Sequence, residues 1–166
     1  MEFDVGDKVV YPSQGVSVVE SISEEILAGA PMQCYSLRLL NTDSRVVVPV
    51  SNSLRVGLRP LSEAPVVARI MRRLHDHNRD GENNWKDRYR ANLDRIKTGE
   101  LDEIVDVLLC LSEVASRKTL SFRERKMFDH ARQILVFEVA EVEGRPVAEV
   151  DREVSAALSL PLEQGE

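Results

Sequence analysis

The sequence contains little cysteine and no long apolar run. Its two cysteines, Cys34 and Cys110, belong to no C-x-x-C or histidine-rich pattern, which excludes a disulfide framework and the common zinc motifs. No segment approaches the roughly 18 consecutive apolar residues that a membrane span needs. The acidic start MEFDVGDK lacks the basic and apolar regions of an export signal. We therefore expect a cytoplasmic protein with no membrane partner, in which both cysteines are core residues.

Known catalytic motifs are missing as well. The chain has no G-x-x-x-x-G-K-[ST], G-x-G-x-x-G, G-x-S-x-G or H-E-x-x-H sequence, so nucleotide, esterase and zinc-protease chemistry has no foothold. His75 and His77 are two residues apart, which places them on different faces of a helix, and no third ligand completes a metal site. The sequence predicts a non-enzyme without catalytic residues, metal or cofactor.

The two halves of the chain have different hydrophobic periods. Short β-branched runs separated by Gly, Pro, Ser and Asn extend from Val5 to about Leu61, and they are typical of a small Tudor-like or SH3-like barrel of about five strands. Beyond residue 65 the period is 3.6, and nothing strand-like returns. The predicted fold is α+β with two domains: a β-barrel over residues 1–62 and an all-α bundle of about five helices over residues 65–160. A frayed tail over 161–166 completes the chain.

Turn and capping signals set the expected bounds of these elements. Gly99 closes the second predicted helix, and Ser121 begins a capping box at the start of the fourth. The predicted strands are 8–11, 16–22, 35–40 and 45–50, and the predicted helices are 65–77, 84–98, 100–118, 121–143 and 146–160. On the first helix we expect one face to be apolar and the other basic: Val66, Ile70 and Leu74 against Arg69, Arg72 and Arg73.

The strand at residues 45–50 has the composition of a sheet edge. If Val46, Val48 and Val50 face the core, Arg45, Val47 and Pro49 face outward. Proline cannot donate to a ladder and is tolerated mainly at an edge. Such an apolar edge either pairs with a strand of another protein or is covered by the protein itself.

Charge is arranged in blocks. Residues 69–97 carry 9 basic and 5 acidic side chains, 98–116 carry five acids and no base, 117–132 carry six bases and two acids, and 133–166 carry two bases and eight acids. The net charge of −6 argues against a protein covered in positive potential. The two basic blocks form one patch only if the fold brings them together; otherwise they are solvated helix faces.

The only tryptophan, Trp85, begins the basic stretch NWKDRYR. A lone tryptophan is commonly a core anchor. Alternatively, an exposed aromatic ring flanked by phosphate-binding side chains can wedge at a DNA base step. On the same predicted helix, Tyr89, Leu93 and Ile96 are expected to face the core.

Several motifs in this order resemble the bacterial CarD/CdnL family of RNA polymerase-binding transcription regulators. They are FDVGDKVVYP at 3–12 with Gly15, VP at 48–49, VGLR at 56–59, NW at 84–85, RY at 88–89, KTG at 97–99, LS at 120–121, ERKM at 124–127, AR at 131–132 and IL at 134–135. The resemblance covers nearly the whole chain.

The resemblance implies a Tudor-like domain that docks on the polymerase β subunit by strand pairing, and a helical domain that contacts promoter DNA. The residue matching Trp85 enters the minor groove, while nearby bases hold the phosphate backbone and stabilise the open complex without reading sequence. The implied DNA contacts are Trp85, Arg88, Arg90, Lys97, Arg125 and Lys126, and the basic stretches add Lys86 and Arg132 to the predicted set. The implied polymerase contacts are Leu37, Val47 and Pro49, and the outward-facing Arg45 of the same strand is added to them.

The chain departs from some relatives where those carry polymerase-contacting arginines, at the positions of Glu25 and Val47. Any contact here is then more apolar or uses Arg45. We expect a monomer, associated with the nucleoid through polymerase. The alternative is a protein-interaction module in which the helical domain binds another regulatory protein rather than DNA.

Overall fold

Five antiparallel strands build the N-terminal part of the chain. The computed structural model describes residues 2–77 and 88–158, and it divides into two units between Leu61 and Ser62. The strands are β1 (Lys8–Tyr11), β2 (Gly15–Leu27), β3 (Ala30–Leu39), β4 (Arg45–Pro49) and β5 (Arg59–Pro60). They form one sheet in the order β4-β3-β2-β1-β5.

The core of this unit lies on one face of the sheet. Val9, Val19, Leu37 and Val48 are buried there around Tyr35. The N-terminal segment closes over it, because the amide of Phe3 donates to the Tyr35 hydroxyl at 2.9 Å and the two rings meet edge to face at 5.9 Å. Buried phenol groups need such a partner.

The β2–β3 hairpin is longer than the sequence predicts. Its strands pair from Ser17–Leu39 to Leu27–Ala30, and Ala28 and Gly29 take positive φ values of 51° and 80° at the turn. Acidic residues at positions 24 and 25 are poor strand formers, but the continuous hairpin ladder overrides that preference. As a result, Ile26 lies exposed on a two-stranded arm beyond the end of the β3–β4 pairing, and Ile22 is exposed near the base of that arm.

In the described residues of the second unit the chain forms five helices, which confirms the α+β prediction. They are α1 (Ala64–Asp76), α2 (Arg88–Thr98), α3 (Leu101–Ala115), α4 (Phe122–Glu143) and α5 (Val147–Ala157). The predicted start of the second helix at residue 84 lies outside the described residues. None of the described helices is long and apolar enough to cross a membrane.

Capping residues fix the ends of α4 as predicted. The backbone N–H of Glu124 donates to Ser121 Oγ at 3.2 Å, which satisfies one of the unpaired donors of the first turn. At the other end Gly144 adopts φ 67°, the left-handed conformation that glycine accepts without strain.

Helix α3 is the centre of the helical core. Ten of its 15 residues are buried, so it is apolar nearly all round rather than on one stripe. Ile70 of α1 and Leu135 of α4 belong to the same core, and α5 adds Val154 through its packing against α4. Both cysteines are free and buried, Cys34 in β3 and Cys110 in α3, as the sequence predicts.

The first helix is rotated by about one residue from its predicted orientation. Val67 is buried and Val66 is exposed, whereas Ile70 and Leu74 face the core as expected. The expectation that Arg73 lies on a solvent face is wrong. Arg73 is buried because its guanidinium donates to Asp102 at 2.8 Å and to Asp106 at 2.6 Å, both on α3.

A similar correction applies to α2. Ile96 is buried and Tyr89 packs partly against the core, as predicted, but Leu93 is exposed. Asn92 takes the buried position instead. Its amide contacts Cys110 Sγ at 3.6 Å and accepts a hydrogen bond from Arg95 at 2.9 Å. A buried polar side chain is tolerated when its hydrogen bonds are satisfied in this way.

Replacing Leu37 by alanine is expected to lower the free energy of unfolding of the N-terminal unit by about 2–5 kcal/mol, because the substitution leaves a cavity in the sheet core. Leu54→Ala is the matched control: Leu54 is 70% exposed in the same unit, so the change should stay within about 0.5 kcal/mol. Denaturant-dependent hydrogen exchange of the β2 and β3 amides measures both. Equal effects of the two substitutions would contradict the core position of Leu37.

Candidate functional site

Most arginines of the helical unit are held by carboxylates. Arg69 and Arg73 of α1 bind Asp102, whose pKa is lowered chiefly by the Arg69 hydrogen bonds. Further pairs include Arg88–Glu124, Arg95–Glu103, Arg117–Glu113, Arg125–Asp129, Arg132–Asp151 and Arg145 with Glu143, Glu149 and Glu153. The acidic α3 therefore neutralises much of the first basic block, and these arginines stabilise the fold.

The remaining cations are concentrated in one region. Within residues 62–77 and 88–158, seven Lys and Arg side chains have no carboxylate within 4.0 Å: Arg72, Arg90, Lys97, Lys118, Arg123, Lys126 and Arg152. Five of the seven lie on α2, on the α3–α4 turn or on the first turns of α4. The opposite end of α4 together with α5 is acidic. The uncompensated positive charge is thus concentrated on α2 and around the start of α4, while Arg72 lies on α1 and Arg152 on α5.

One face of α2 presents two of these cations beside an apolar residue. Arg90, Leu93 and Lys97 are all exposed, and their spacing of three and four residues places them on one side of the helix. Asp94 is exposed on the same helix. The side chain of Leu93, expected in the core, is instead available to a partner.

The start of α4 presents a second apolar residue among cations. Phe122 is 80% exposed, and the Lys126 ammonium lies 5.3 Å from its ring centroid. The Arg123 guanidinium lies 3.8 Å from the centroid of the Tyr89 ring and so joins α4 to α2. We name these exposed residues the α2–α4 surface: Arg90, Leu93, Lys97, Lys118, Phe122, Arg123 and Lys126.

A groove of about 390 Å³ opens beside the α2–α4 surface. It lies between the first turn of α2 and the α3–α4 turn. Its lining is Arg88, Tyr89, Lys118, Thr119, Ser121, Arg123 and Glu124.

The ion pair of Arg88 and Glu124 fixes the start of α2 against α4. Arg88 Nε donates to Glu124 Oε2 at 2.6 Å and Nη2 donates to Oε1 at 3.3 Å, with side chains only 15% and 9% exposed. These hydrogen bonds raise the pKa of Arg88 and, against the opposing effect of burial, lower the pKa of Glu124. The Ser121 hydroxyl also donates to Oε1 at 3.3 Å.

The predicted DNA-contact residues divide into three groups. Arg90, Lys97 and Lys126 are exposed without a carboxylate partner among the described residues. Arg88, Arg125 and Arg132 are engaged with Glu124, Asp129 and Asp151. Trp85 and Lys86 lie outside the described residues.

Sequence reasoning left Lys118, Phe122 and Arg123 out of the predicted contact set. Phe122 follows the Ser121 cap directly, so its position in the first turn of α4 could be predicted from the sequence, but its exposure could not. The contact between Arg123 and Tyr89 joins residues 34 positions apart and has no local signal.

Strand β4 is the last strand at one edge of the described sheet. Val48 is buried and Val46 is partly buried, while Val47 is 48% exposed, as the alternation predicts. Arg45 is exposed beside Glu20 at 3.3 Å, and Glu20 also binds Arg38 at 2.7 Å. Pro49 is partly exposed on the same strand.

Leu37 does not share this surface. Its side chain is fully buried in the core of the sheet, on the interior strand β3 next to β4, so the structure gives it a packing role. The predicted polymerase contact through the Leu37 side chain is therefore dropped. Arg45, Val47 and Pro49 remain as predicted contacts on β4.

Family comparison accounts for both halves of the chain. A family model described as "CarD-like/TRCF RID domain" matches residues 3–62, and one described as "CarD, C-terminal domain" matches residues 69–155. The chain belongs to the CarD/CdnL family of transcription regulators. The CarD-like RID domain is Tudor-like, which agrees with the predicted barrel class of the N-terminal sheet.

A curated relative of this CarD family member comes from Bacillus subtilis (strain 168). It bears the name "Putative transcription factor YdeB" and is 32% identical over 142 residues, which cover 86% of this chain and 93% of the relative. The likeness therefore extends over both units.

Replacing Arg88 by methionine is expected to lower the free energy of unfolding of the helical unit by about 3–5 kcal/mol at pH 7, because Glu124 is left as an uncompensated buried charge. In the wild type the folded-state pKa of Glu124 lies below its unfolded value of about 4.3. The pair thus stabilises the fold above that pH, and its contribution is lost as the pH falls through the lowered pKa. The difference in the free energy of unfolding between the wild type and Arg88→Met should become smaller as the pH falls.

Urea unfolding from pH 7 to pH 3 measures this gap. Arg90→Met is the control, since it removes an exposed arginine of the same helix that has no carboxylate partner among the described residues. Its effect should stay within about 0.5 kcal/mol at every pH. If Arg88→Met behaves like Arg90→Met, the pair does not anchor α2.

Proposed function

We propose that this protein binds the RNA polymerase β subunit through β4 and promoter DNA through the α2–α4 surface, and that it thereby stabilises the open promoter complex. The observation that carries the proposal is the separation of the cations. Those with a structural partner are used within the fold, while five of the seven without one lie on α2, on the α3–α4 turn or on the first turns of α4, where Leu93 and Phe122 are exposed.

The composition of the α2–α4 surface suits the DNA backbone better than a base sequence. Its polar members are lysines and arginines, which bind phosphate oxygens and release counterions without reading the bases. It includes none of the asparagine or glutamine side chains that pair with adenine edges. Binding through this surface is expected to be salt-dependent and independent of sequence.

The apolar members of this surface suit partly unstacked DNA. Aromatic and aliphatic side chains can pack at a minor-groove step that has lost stacking, which is the state of a promoter at the edge of the melted region. Trp85 comes three positions before Arg88, and the family resemblance assigns it the wedge. Phe122 is an exposed ring on the α2–α4 surface and supports a mixed basic and apolar interface.

The exposed edge of β4 is the proposed polymerase contact. Val47 and Pro49 offer an apolar, half-exposed strand that a partner strand can extend by backbone pairing. The match to the CarD-like RID domain supports polymerase as that partner. Because both proposed contacts act in one complex, docking on polymerase raises the local concentration of the DNA-binding unit.

The first test is the lifetime of the open complex on one promoter with purified RNA polymerase. Wild-type protein should lengthen the lifetime, and Trp85→Ala and Lys126→Glu should each remove most of that gain, because one loses the wedge and the other reverses a phosphate-binding charge. Arg152→Glu is the control: it makes the same charge change on α5, away from the α2–α4 surface.

Each variant is first checked for its helical circular dichroism and unfolding midpoint. If Arg152→Glu also removes the lifetime gain, the effect depends on the net charge of the protein and not on the α2–α4 surface. Polymerase binding with no lifetime effect in any form would favour the alternative, in which the helical unit binds another regulatory protein.

A second test addresses the polymerase contact. Val47→Glu places an unpaired charge on the proposed strand interface and should weaken binding to polymerase at least tenfold, about 1.4 kcal/mol, because that charge must be desolvated. Val5→Glu is the matched control, since Val5 is exposed in the same unit but precedes β1 rather than β4. Equal affinities of the two variants in a fluorescence titration would exclude β4 as the docking edge.

A further inference from the structure

The groove between the first turn of α2 and the α3–α4 turn has the character of an anion site. Three of its lining side chains, Arg88, Lys118 and Arg123, are cationic, and only Glu124 is anionic. The charge of Glu124 is balanced by Arg88 at 2.6 Å, which leaves the groove with the charges of Lys118 and Arg123. Neither of these two has a carboxylate partner among the described residues.

Arg123 is held in an orientation that suits a tetrahedral anion. Its guanidinium lies over the face of the Tyr89 ring, with 3.8 Å between Cζ and the ring centroid. Stacking occupies the flat face of the guanidinium and leaves its N–H edge for hydrogen bonds in the plane. That edge matches two oxygens of a phosphate group in bidentate geometry.

Side-chain hydroxyls supply further donors in the same groove. Thr119 is exposed on the α3–α4 turn beside Lys118, and both line the groove. The site does not depend on the N-terminus of α4, because the Ser121 side chain is already hydrogen-bonded to the amide and the carboxylate of Glu124. The donors for an anion are therefore the side chains of Lys118, Thr119 and Arg123.

We propose that this groove binds one phosphate group of the DNA backbone through Lys118, Thr119 and Arg123, beyond the contacts that the family resemblance implies. The inference rests on the proposed function and adds a defined phosphate position to it. A phosphate in this groove bridges the α3–α4 turn to α2 through the Arg123–Tyr89 stack. DNA binding would thereby tighten the first turn of α2, three residues after Trp85.

The test measures how the binding of a short DNA duplex to the full chain depends on salt concentration. Nuclear magnetic resonance is used to monitor this binding. Lys118→Gln and Arg123→Gln should each weaken binding about tenfold at low salt. Each should also reduce the slope of log K against log salt by about 0.9, because one phosphate contact is lost. If Arg123 had only a structural role, Arg123→Gln would have the same slope as the wild type.

Arg117→Gln is the matched control. It removes the same charge from the neighbouring position, but Arg117 is paired with Glu113 at 2.9 Å and does not line the groove. Its salt slope should equal that of the wild type. If all three variants share one slope while the wild type binds DNA, the groove proposal fails and the proposed function stands. If the wild type binds no duplex and leaves the open complex unchanged, the proposed function fails first.

The source of the phosphate is settled by the signals of the Thr119 amide and of Arg123 Nε–H in the wild type. We expect the duplex to shift both signals at concentrations where inorganic phosphate leaves them unchanged. Saturation of both signals by inorganic phosphate, with no response to the duplex, would overturn the assignment to DNA and indicate a small phosphate ligand.

Discussion

The buried ion pair of Arg88 and Glu124 is the interaction on which the candidate site depends. It connects the first residue of α2 to the first turn of α4, and Ser121 supports it from the N-cap. Two charges at such low exposure are favourable only together, because either one alone loses its hydration without compensation. With Glu124 directed inward, its neighbours Phe122 and Arg123 are turned toward solvent and α2. The same pair that stabilises the fold therefore sets the orientation of the surface.

The acidic α3 has a comparable role for the rest of the unit. Asp102 binds the exposed Arg69 of α1, and Asp102 and Asp106 together bind the buried Arg73 of the same helix. A chain with a net charge of −6 can therefore present a positive surface. Many acids of the helical unit are paired with arginines of the fold, and others lie at the far end of α4 and on α5. Net charge alone would have argued against a DNA partner. Because many of the acids are paired with arginines of the fold, the net charge does not exclude such a partner.

The sequence predicted the elements of this fold better than their orientation. Hydrophobic period, the Ser121 cap and the closing Gly99 located the helices and the β half, because these signals are local. The exposure of Leu93 and the burial of Arg73 could not be predicted. Arg73 binds Asp102 and Asp106, which are 29 and 33 positions away in the sequence. Asn92 is buried instead of Leu93 and contacts Cys110 on α3. The role of Arg88 in the site could not be predicted for the same reason. Nothing in its basic stretch of sequence indicates that Arg88 binds a carboxylate 36 positions away.

The separation of charge along α4 gives the helical unit an electric dipole. The helix has 22 residues and is about 33 Å long, with uncompensated cations at its first turns and with Glu141, Glu143, Glu149 and Glu153 around its far end and α5. Near a polyanion such a body experiences a torque before any contact forms, because the acidic end is repelled while the basic end is attracted. Encounters would then begin with the α2–α4 surface in front. In the proposed complex with DNA, the acids of α5 would make the opposite approach unfavourable.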